Sequence, residues 1–560
     1  MFVKKSCLLL ALILAIIVIP LLSLSQENSL RNDLIWTGSI SEDWDDTLNW
    51  NPTQIPDENS NLTIPVSPPG GRFPVITSGQ ETECNDLTIE TGSSLSLRGF
   101  LTVYGQLFNT DETALTILSE ETGTGSLIFS SEDVVATVQR YLSDGANHFI
   151  GAPVGDATLN NLYFNNDPKV YLYEYKESLG NWSSISELSA PLLPGIGYSV
   201  YVEASTNKEN VTAQYKGNLR STDLELSGSS LSYTEESPYP GYNLISNPFS
   251  SAISWDLGNW QTENVSGSVW LWNGSYNYLF RNAHEMGSLA DGVVPASQAF
   301  FIKVTNVNPT LTLSVNDRVH STQNFYKSAE RDNEAFIVLE VKKQDKVDEA
   351  WVTFCDECTN GEDNGWDTEK LYGNADAPQL FFIESERELS IDALPPLGEE
   401  TRTLQLNFIV GESGQHTITL TEIENGGMSG EIQVLLKDLL EGAEQLLLVN
   451  PTYYFEASID DSPNRFEIDI WEGPFGINSS QINNDYMIYS FENYIKIKPL
   501  HSSLNESYTI QIMDFSGRII RELEAYSDRE ISIFINTGNS YVIARIITDK
   551  SVITKKLFIK

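Results

Sequence analysis

Tyr508-Thr509-Ile510-Gln511-Ile512-Met513-Asp514-Phe515-Ser516-Gly517 is the stretch from which the fold class is read. Apolar and polar residues alternate from Tyr508 to Met513, the period of a strand with one face in a core and the other in water. Asp514 to Gly517 then supplies turn chemistry. The same alternation occurs in Tyr494-Ile495-Lys496-Ile497-Lys498, at Ile531, Ile533 and Ile535, and along Tyr541 to Ile547. Several short strands at close spacing predict a small Ig-like antiparallel sandwich over residues 483–560.

Upstream, helical periodicity is scarce. One stretch, Leu435 to Leu448, could hold a helical turn; the rest predicts an all-β, multidomain chain. Residues 34–135 open with Trp36-Thr37-Gly38, Trp44 and Asn49-Trp50. Very short apolar pairs follow: Leu87 and Ile89, Leu95 and Leu97, Leu101 and Val103, Leu115 and Ile117. Gly92, Gly99 and Gly105 punctuate them, which predicts the stacked coils of a small β-solenoid.

Residues 137–320 contain an internal repeat, with copies at about 137–235 and 236–320. His148 to Pro153 answers Asn243 to Pro248, Val170 to Tyr173 answers Val269 to Trp272, and Pro194 to Tyr201 answers Pro295 to Ile302. The offsets are 95, 99 and 101 residues, the size of a sandwich module. Residues 333–473 predict a further, accessory β-sandwich. Polar stretches at 321–332 and 474–485 read as linkers.

The 560 residues include 34 basic and 77 acidic side chains, for a net charge of −43. Such a surface repels phosphate backbones, so nucleic acid is not an expected partner. Met1 to Ser25 has the layout of a signal peptide: Lys4 and Lys5, an apolar run from Leu8 to Leu22, and small residues before Gln26. Cys7 falls within that segment, leaving Cys84, Cys355 and Cys358. Cys355 and Cys358 could close a local disulfide or remain free thiols.

The C-terminal segment, through Tyr508 to Arg518, Gly538 to Arg545 and the basic, apolar end at Lys555 to Lys560, resembles the type A C-terminal sorting domain of type IX secretion. Two residues separate Gly538 from Tyr541 where that family usually has one. The resemblance implies sorting roles for Tyr508, Asp514, Gly517, Arg518, Gly538, Tyr541, Arg545, Lys556 and Leu557. It also implies recognition by the outer-membrane export machinery, and release or attachment to surface polysaccharide after passage through the periplasm. The tryptophan-glycine opening resembles N-terminal segments of large secreted and surface proteins of bacteria that use this route. Residues 333–473 resemble an accessory sandwich that often precedes the sorting domain.

The middle of the chain names no reaction. His148, His284, His320, His416 and His501 stand apart, and neither a zinc-protease helix motif nor a serine-nucleophile elbow occurs. The loop with Asp356, Asn360, Glu362, Asn364 and Asp367 offers hard oxygens for calcium, the one cofactor in view. Its position twelve is Leu371 rather than glutamate, and an unoccupied acidic turn is the competing reading. Trp36, Trp44, Trp50, Trp182, Trp255, Trp260, Trp270 and Trp272 could stack on sugar rings or fill cores; repetition in both copies favours packing. The expectation is a non-catalytic secreted or cell-surface protein working in adhesion to extracellular polysaccharide or matrix. The alternative is an extracellular carbohydrate-active hydrolase or carbohydrate-binding protein.

Overall fold

The structure is a computed structural model. It describes residues 32–162, 169–204, 211–321, 335–398, 401–426, 428, 430–472, 486–491, 493–499, 507–514, 518–526, 531–536, 540–547 and 552–559. The expected signal segment, His501 and most of both expected linkers lie outside them. Among the described residues every regular element is a strand or a 3₁₀ turn of three or four residues, so the chain is all-β.

The N-terminal region is a parallel solenoid with three faces. Asn32–Trp36, Ser60–Ile64, Asp86–Ile89 and Leu107–Phe108 stack on one face. Val75–Ile76, Leu95–Leu97, Leu115–Ile117 and Val135–Leu142 form the second, and Glu81–Cys84, Phe100–Val103 and Ser126–Ile128 the third. The register sets Leu62 beside Leu87 and Leu87 beside Leu107, so like side chains stack inward coil upon coil. Gly99 permits a corner: a Cβ there would lie 2.4 Å from the carbonyl oxygen of Thr77.

At the first described coil, Trp50–Asn51 pairs antiparallel with Asn32–Trp36 at the end of the ladder. Three tryptophans close it. Trp36 and Trp44 each meet the Trp50 ring edge-to-face at 5.1 and 5.0 Å. Trp36 Nε1 donates to the Arg72 carbonyl at 2.7 Å, and Trp50 Nε1 to the Trp44 carbonyl at 2.8 Å. Buried Asn49 accepts from the amides of Ile40 and Ser41 and fixes the loop over the cap.

Val135–Leu142 continues the solenoid and pairs antiparallel with Val211–Asn218, so one core runs from Leu34 to Leu219. Each repeat copy builds a four-stranded antiparallel sheet. The first runs in the order Ala146–Ile150, Tyr198–Val202, Val170–Lys176, Asn181–Ile185; the second Tyr242–Ser246, Ala299–Val304, Val265–Trp272, Tyr278–Arg281. The sheets share one strand order and meet through equivalent contacts. Gly151 N donates to Ser297 O at 2.9 Å, and Ser246 N to Gly195 O at 2.9 Å. Gly195 and Ser297 both adopt left-handed backbone, at φ 78° and 57°. Bridges Ile150–Gln298 and Ile196–Ile245 repeat the pattern. This is the reciprocal contact of a two-fold axis, here within one chain.

That geometry corrects two sequence offsets. Equivalent contacts pair Ile196 with Gln298 and Gly195 with Ser297, one residue away from the proline-anchored match. Ladder register makes Tyr173 the counterpart of Trp270, and Tyr175 of Trp272, two residues from the sequence match. A two-residue slide leaves every side chain on its original face, so alternation alone cannot detect it.

Residues 335–472 form one eleven-stranded sheet curled around its own core. Leu435 to Leu448 is not helical but a hairpin, Ile432–Asp438 with Ala443–Leu446. Ile432, Val434 and Leu436 alternate into the core. Asp438 then accepts from the amides of Leu440 and Glu441, and Gly442 turns at φ 62°. The same Asp438 carboxylate is buried against Arg465, whose Nη2 lies at 2.8 Å. The last region packs Tyr486–Phe491, Tyr494–Pro499 and Ile531–Phe534 over Ile519–Tyr526, Ser507–Met513, Ser540–Ile547 and Val552–Ile559.

Gly151 and its counterpart Ser246 face each other across the pseudo-two-fold axis. A Cβ on Gly151 would lie 2.0 Å from Ser246 Oγ and 2.2 Å from Ser246 Cβ. Gly151→Ala is expected to destabilise by about 1–3 kcal/mol. Gly151→Ala with Ser246→Gly should recover most of that loss in denaturant melts. No recovery would mean the two positions do not meet.

Candidate functional site

Side chains two apart on a strand share a face. In the first copy one face carries, strand by strand, Asn147 and Phe149, Ser199 and Tyr201, Tyr171, Tyr173 and Tyr175, and Trp182. In the second copy the matching face carries Leu244, Phe301, Trp270, Trp272, Phe280 and Tyr278. These faces turn toward each other. The Phe149 ring lies 5.4 Å from Trp182, 6.1 Å from Trp272, 6.3 Å from Tyr278 and 6.0 Å from Phe301. Phe336, Val338, Trp351 and Ile391 on the outer face of the curled sheet complete the aromatic layer.

The layer is incomplete on the side of the first copy. There the cross-strand row reads Phe149, Ser199, Tyr173, Ser184; in the second copy it reads Leu244, Phe301, Trp270, Phe280. Two serines stand where the second copy has two phenyl rings. Trp270 is buried against the curled sheet, with Nε1 donating to the Glu369 carbonyl at 3.1 Å, whereas Tyr173 stays half-exposed. The space left is a cleft of about 440 Å³ lined by Asn147, Phe149, Tyr173, Trp182, Ser199, Tyr201, Trp272, Tyr278, Tyr372, Gly373 and Asn374.

The third wall, Tyr372 to Asn374, comes from the curled sheet and is fastened to the second copy. Asn374 N donates to Tyr276 O at 2.7 Å and Asn374 Nδ2 to Ser275 O at 2.9 Å. The Tyr372 hydroxyl donates to Glu388 Oε2 at 2.7 Å. Burial, with Glu388 beside it, pushes the Tyr372 phenol up; burial does the same to Tyr278. The lining contains no Asp, Glu, Lys, Arg or His. Trp272 Nε1 is buried with no hydrogen-bond partner. Ser199 is flanked across its strands by Phe149 and Tyr173, not by a base. Flat rings and side-chain amides suit holding an uncharged ligand.

Sequence reasoning singled out Trp182, Trp270 and Trp272, and the structure separates them. Trp182 and Trp272 line the cleft, while Trp270 is core. Trp36, Trp44 and Trp50 form the solenoid cap, and Trp255 packs on Trp260 at 4.4 Å beside the second core. Asn147, Ser199, Tyr201, Tyr278, Tyr372 and Asn374 were missed. The aromatic alternation at Tyr171, Tyr173 and Tyr175 was the available signal.

The acidic loop holds a disulfide between Cys355 and Cys358, with Cα atoms 5.2 Å apart. Asp367 turns inward, accepting from Arg387 Nη2 at 2.5 Å and from the amides of Asp363 and Ala393. Asp356, Asn360, Glu362 and Asn364 face outward. Among the described residues no three acidic, histidine or cysteine side chains gather as a cation site. The described histidines occupy separate places: His148 contacts Ser143, His284 stacks on Trp366, His320 bridges Thr102 and Ser126, and His416 contacts Gly414.

Of the expected sorting residues, Tyr508 and Leu557 are buried in the terminal core. Asp514 accepts from Arg518 N at 3.0 Å and Nε at 2.9 Å, closing the turn. Tyr541 meets Phe558 at 5.0 Å, and Arg545 is registered opposite Gln511. Gly517 and Gly538 lie outside the described residues, as does the side chain of Lys556.

A family model described as a domain of unknown function (DUF8693) matches residues 35–470. Minor fimbrium subunit Mfa5 of Porphyromonas gingivalis is 23% identical over 507 residues, covering 77% of this chain and 39% of that protein. The chain thus spans about two fifths of the length of this curated relative. Among solved structures, a biofilm associated protein (BSP domain) aligns at 9% identity and TM-score 0.17, over 79% of this chain and 68% of the other. Dimeric latent PorU from Porphyromonas gingivalis aligns at 11% identity and TM-score 0.14, over 44% and 31%. TM-scores of that size do not equate the folds.

Asp392 gives a pH-dependent test of the region behind the loop. It is 2% exposed, and burial, then Asp367 and Glu384, push its carboxyl up from 3.8 to about 7. A raised native pKa means the folded chain holds a proton that the unfolded chain has lost. Stability from this group is complete below pH 3.8 and declines as pH rises through about 7. Asp392→Asn is expected to melt above the parent at pH 8, with the gap closing toward pH 4 in calorimetry. A gap independent of pH would remove the assignment.

Proposed function

This chain belongs to the family of the domain of unknown function DUF8693, and from that premise we propose a non-catalytic β protein of the cell surface that works in adhesion. The observation that carries the reading is the cleft of aromatic rings and uncharged polar groups, a surface suited to holding a ligand. The likeness to a fimbrium subunit supports a place on the cell surface. The signal-like Met1 to Ser25 and the terminal sandwich, with its Asp514–Arg518 turn, support export through the type IX route. Extracellular polysaccharide or matrix is the proposed partner, and the outer-membrane export machinery the transient one.

Two measurements test this. Surface labelling of intact cells should reach the full chain, and deletion of residues 483–560 should leave it inside the envelope; equal export of the truncation would end the type IX part. Cells producing Ser199→Phe should adhere to matrix-coated surfaces as poorly as cells lacking the chain. Unchanged adhesion in both strains would end the adhesion reading.

A further inference from the structure

We infer that the cleft between the two repeat copies binds a neutral oligosaccharide, with rings stacked on its aromatic wall and hydroxyls meeting its uncharged polar groups. The inference rests on the binding reading above and supplies its ligand class. Three observations select that chemistry.

The first is the origin of the space. Ser199 and Ser184 stand where the second copy places Phe301 and Phe280. The same scaffold thus shows how the row looks when it carries rings: there Trp270 stands between Phe301 and Phe280, with Phe336 and Trp351 of the curled sheet in the same cluster. In the first copy the face of Tyr173 is left open beside two hydroxyl-bearing positions. A volume of about 440 Å³ falls within the range of roughly 300–1,000 Å³ usual for small-ligand clefts.

The second is the absence of charge in the lining. A carboxylate or sulfate entering the cleft would lose water and find no counter-charge, at a cost of several kcal/mol (order of magnitude). The chain's net charge of −43 adds long-range repulsion of anionic polymers. A neutral ligand meets neither penalty.

The third separates sugars from quaternary ammonium ions, which aromatic surfaces also hold. Phe149, Trp182, Trp272 and Tyr278 pack on one another and make a continuous wall, not a box around a point charge. Asn147, Ser199, Tyr201 and Asn374 add hydrogen-bonding groups to the lining. A tetraalkylammonium ion cannot accept a hydrogen bond; a sugar hydroxyl or ring oxygen can. Asn374 Nδ2 donates to Ser275 O at 2.9 Å, which holds this amide at the rim of the cleft.

The purified full chain would be titrated calorimetrically with neutral gluco-, galacto- and manno-oligosaccharides. The same chain lengths bearing sulfate or uronate, a proline-rich peptide and tetramethylammonium chloride would follow. Binding is expected from at least one neutral series. Trp272→Ala removes a ring from the wall and should weaken binding about tenfold. Ser199→Phe restores the second-copy residue and should abolish binding while the melting temperature holds or rises. Binding of no neutral saccharide, equal binding by parent and Ser199→Phe, or tighter binding of a charged saccharide, the peptide or tetramethylammonium overturns the inference. Adhesion that Ser199→Phe eliminates but no neutral saccharide competes away overturns the sugar assignment and leaves the adhesion reading intact. Saccharide binding with no adhesion defect in cells does the reverse.

Discussion

The packing of two aromatic sheet faces on each other, with Phe149 at their meeting point, is the interaction on which the arrangement of this molecule depends. Everything N-terminal to it is one continuous core from the solenoid into the first copy. C-terminal to it lie the cores of the second copy, the curled sheet and the terminal module. The aromatic layer joins the first copy to the second and to the curled sheet, while Leu127 with Ser250 and Phe129 with Arg318 tie the solenoid to the second copy. Burying a large ring removes roughly 150–250 Å² from water, and edge-to-face contacts add about 0.5–1.5 kcal/mol each. Tyr175, Phe301, Tyr242 and Trp270 form such a chain of contacts through the layer. The reciprocal hydrogen bonds of Gly151 and Ser246 fix the angle at which the faces meet; the rings supply the energy that holds them there.

Duplication explains both the strength of this interface and its flaw. Two copies of one sheet can pair through identical edges, because each presents to the other the contact it receives. A pair made of identical copies would also be filled identically. Here the copies differ at the centre of the row, serine against phenylalanine, so the layer closes on one side and gapes on the other. The third wall then converts a shallow gap into a cleft, because Tyr372 to Asn374 is tied to the hairpin around Ser275 and Tyr276.

Much of this was legible in the sequence, for a reason rooted in strand geometry. Alternation at Ile510 and Ile512, or at Leu95 and Leu97, reports which face is buried, and the structure buries those residues. Repeated motifs reported the duplication. What alternation cannot report is register, since sliding Tyr173 from Trp272 to Trp270 changes no face. The hairpin at Leu435 was obscured because consecutive leucines blur the period; Asp438 and Gly442, its turn residues, were the better guide. The cleft was illegible for a different reason. Its walls come from residues far apart in the chain, such as Asn147, Trp272 and Asn374, and its floor is defined by rings that are missing.

A vacancy of this kind weighs against stability. Each phenyl left out forgoes roughly 1.5–3 kcal/mol of burial, and an unpaired buried donor costs about 1–3 kcal/mol more. A single residue, phenylalanine in place of Ser199, would repair much of this on a scaffold that already accommodates Phe301 at the equivalent place. The solenoid ladder is continuous, the Trp36, Trp44 and Trp50 cap satisfies two of its three indole donors, and the Asp438–Arg465 pair is hydrogen-bonded on both carboxylate oxygens. A local departure from the packing rule, set where three structural units converge and lined by groups of one chemical character, is the physical signature expected of a site. The second copy shows the row with its rings in place, Trp270 standing between Phe301 and Phe280 and packed with the curled sheet.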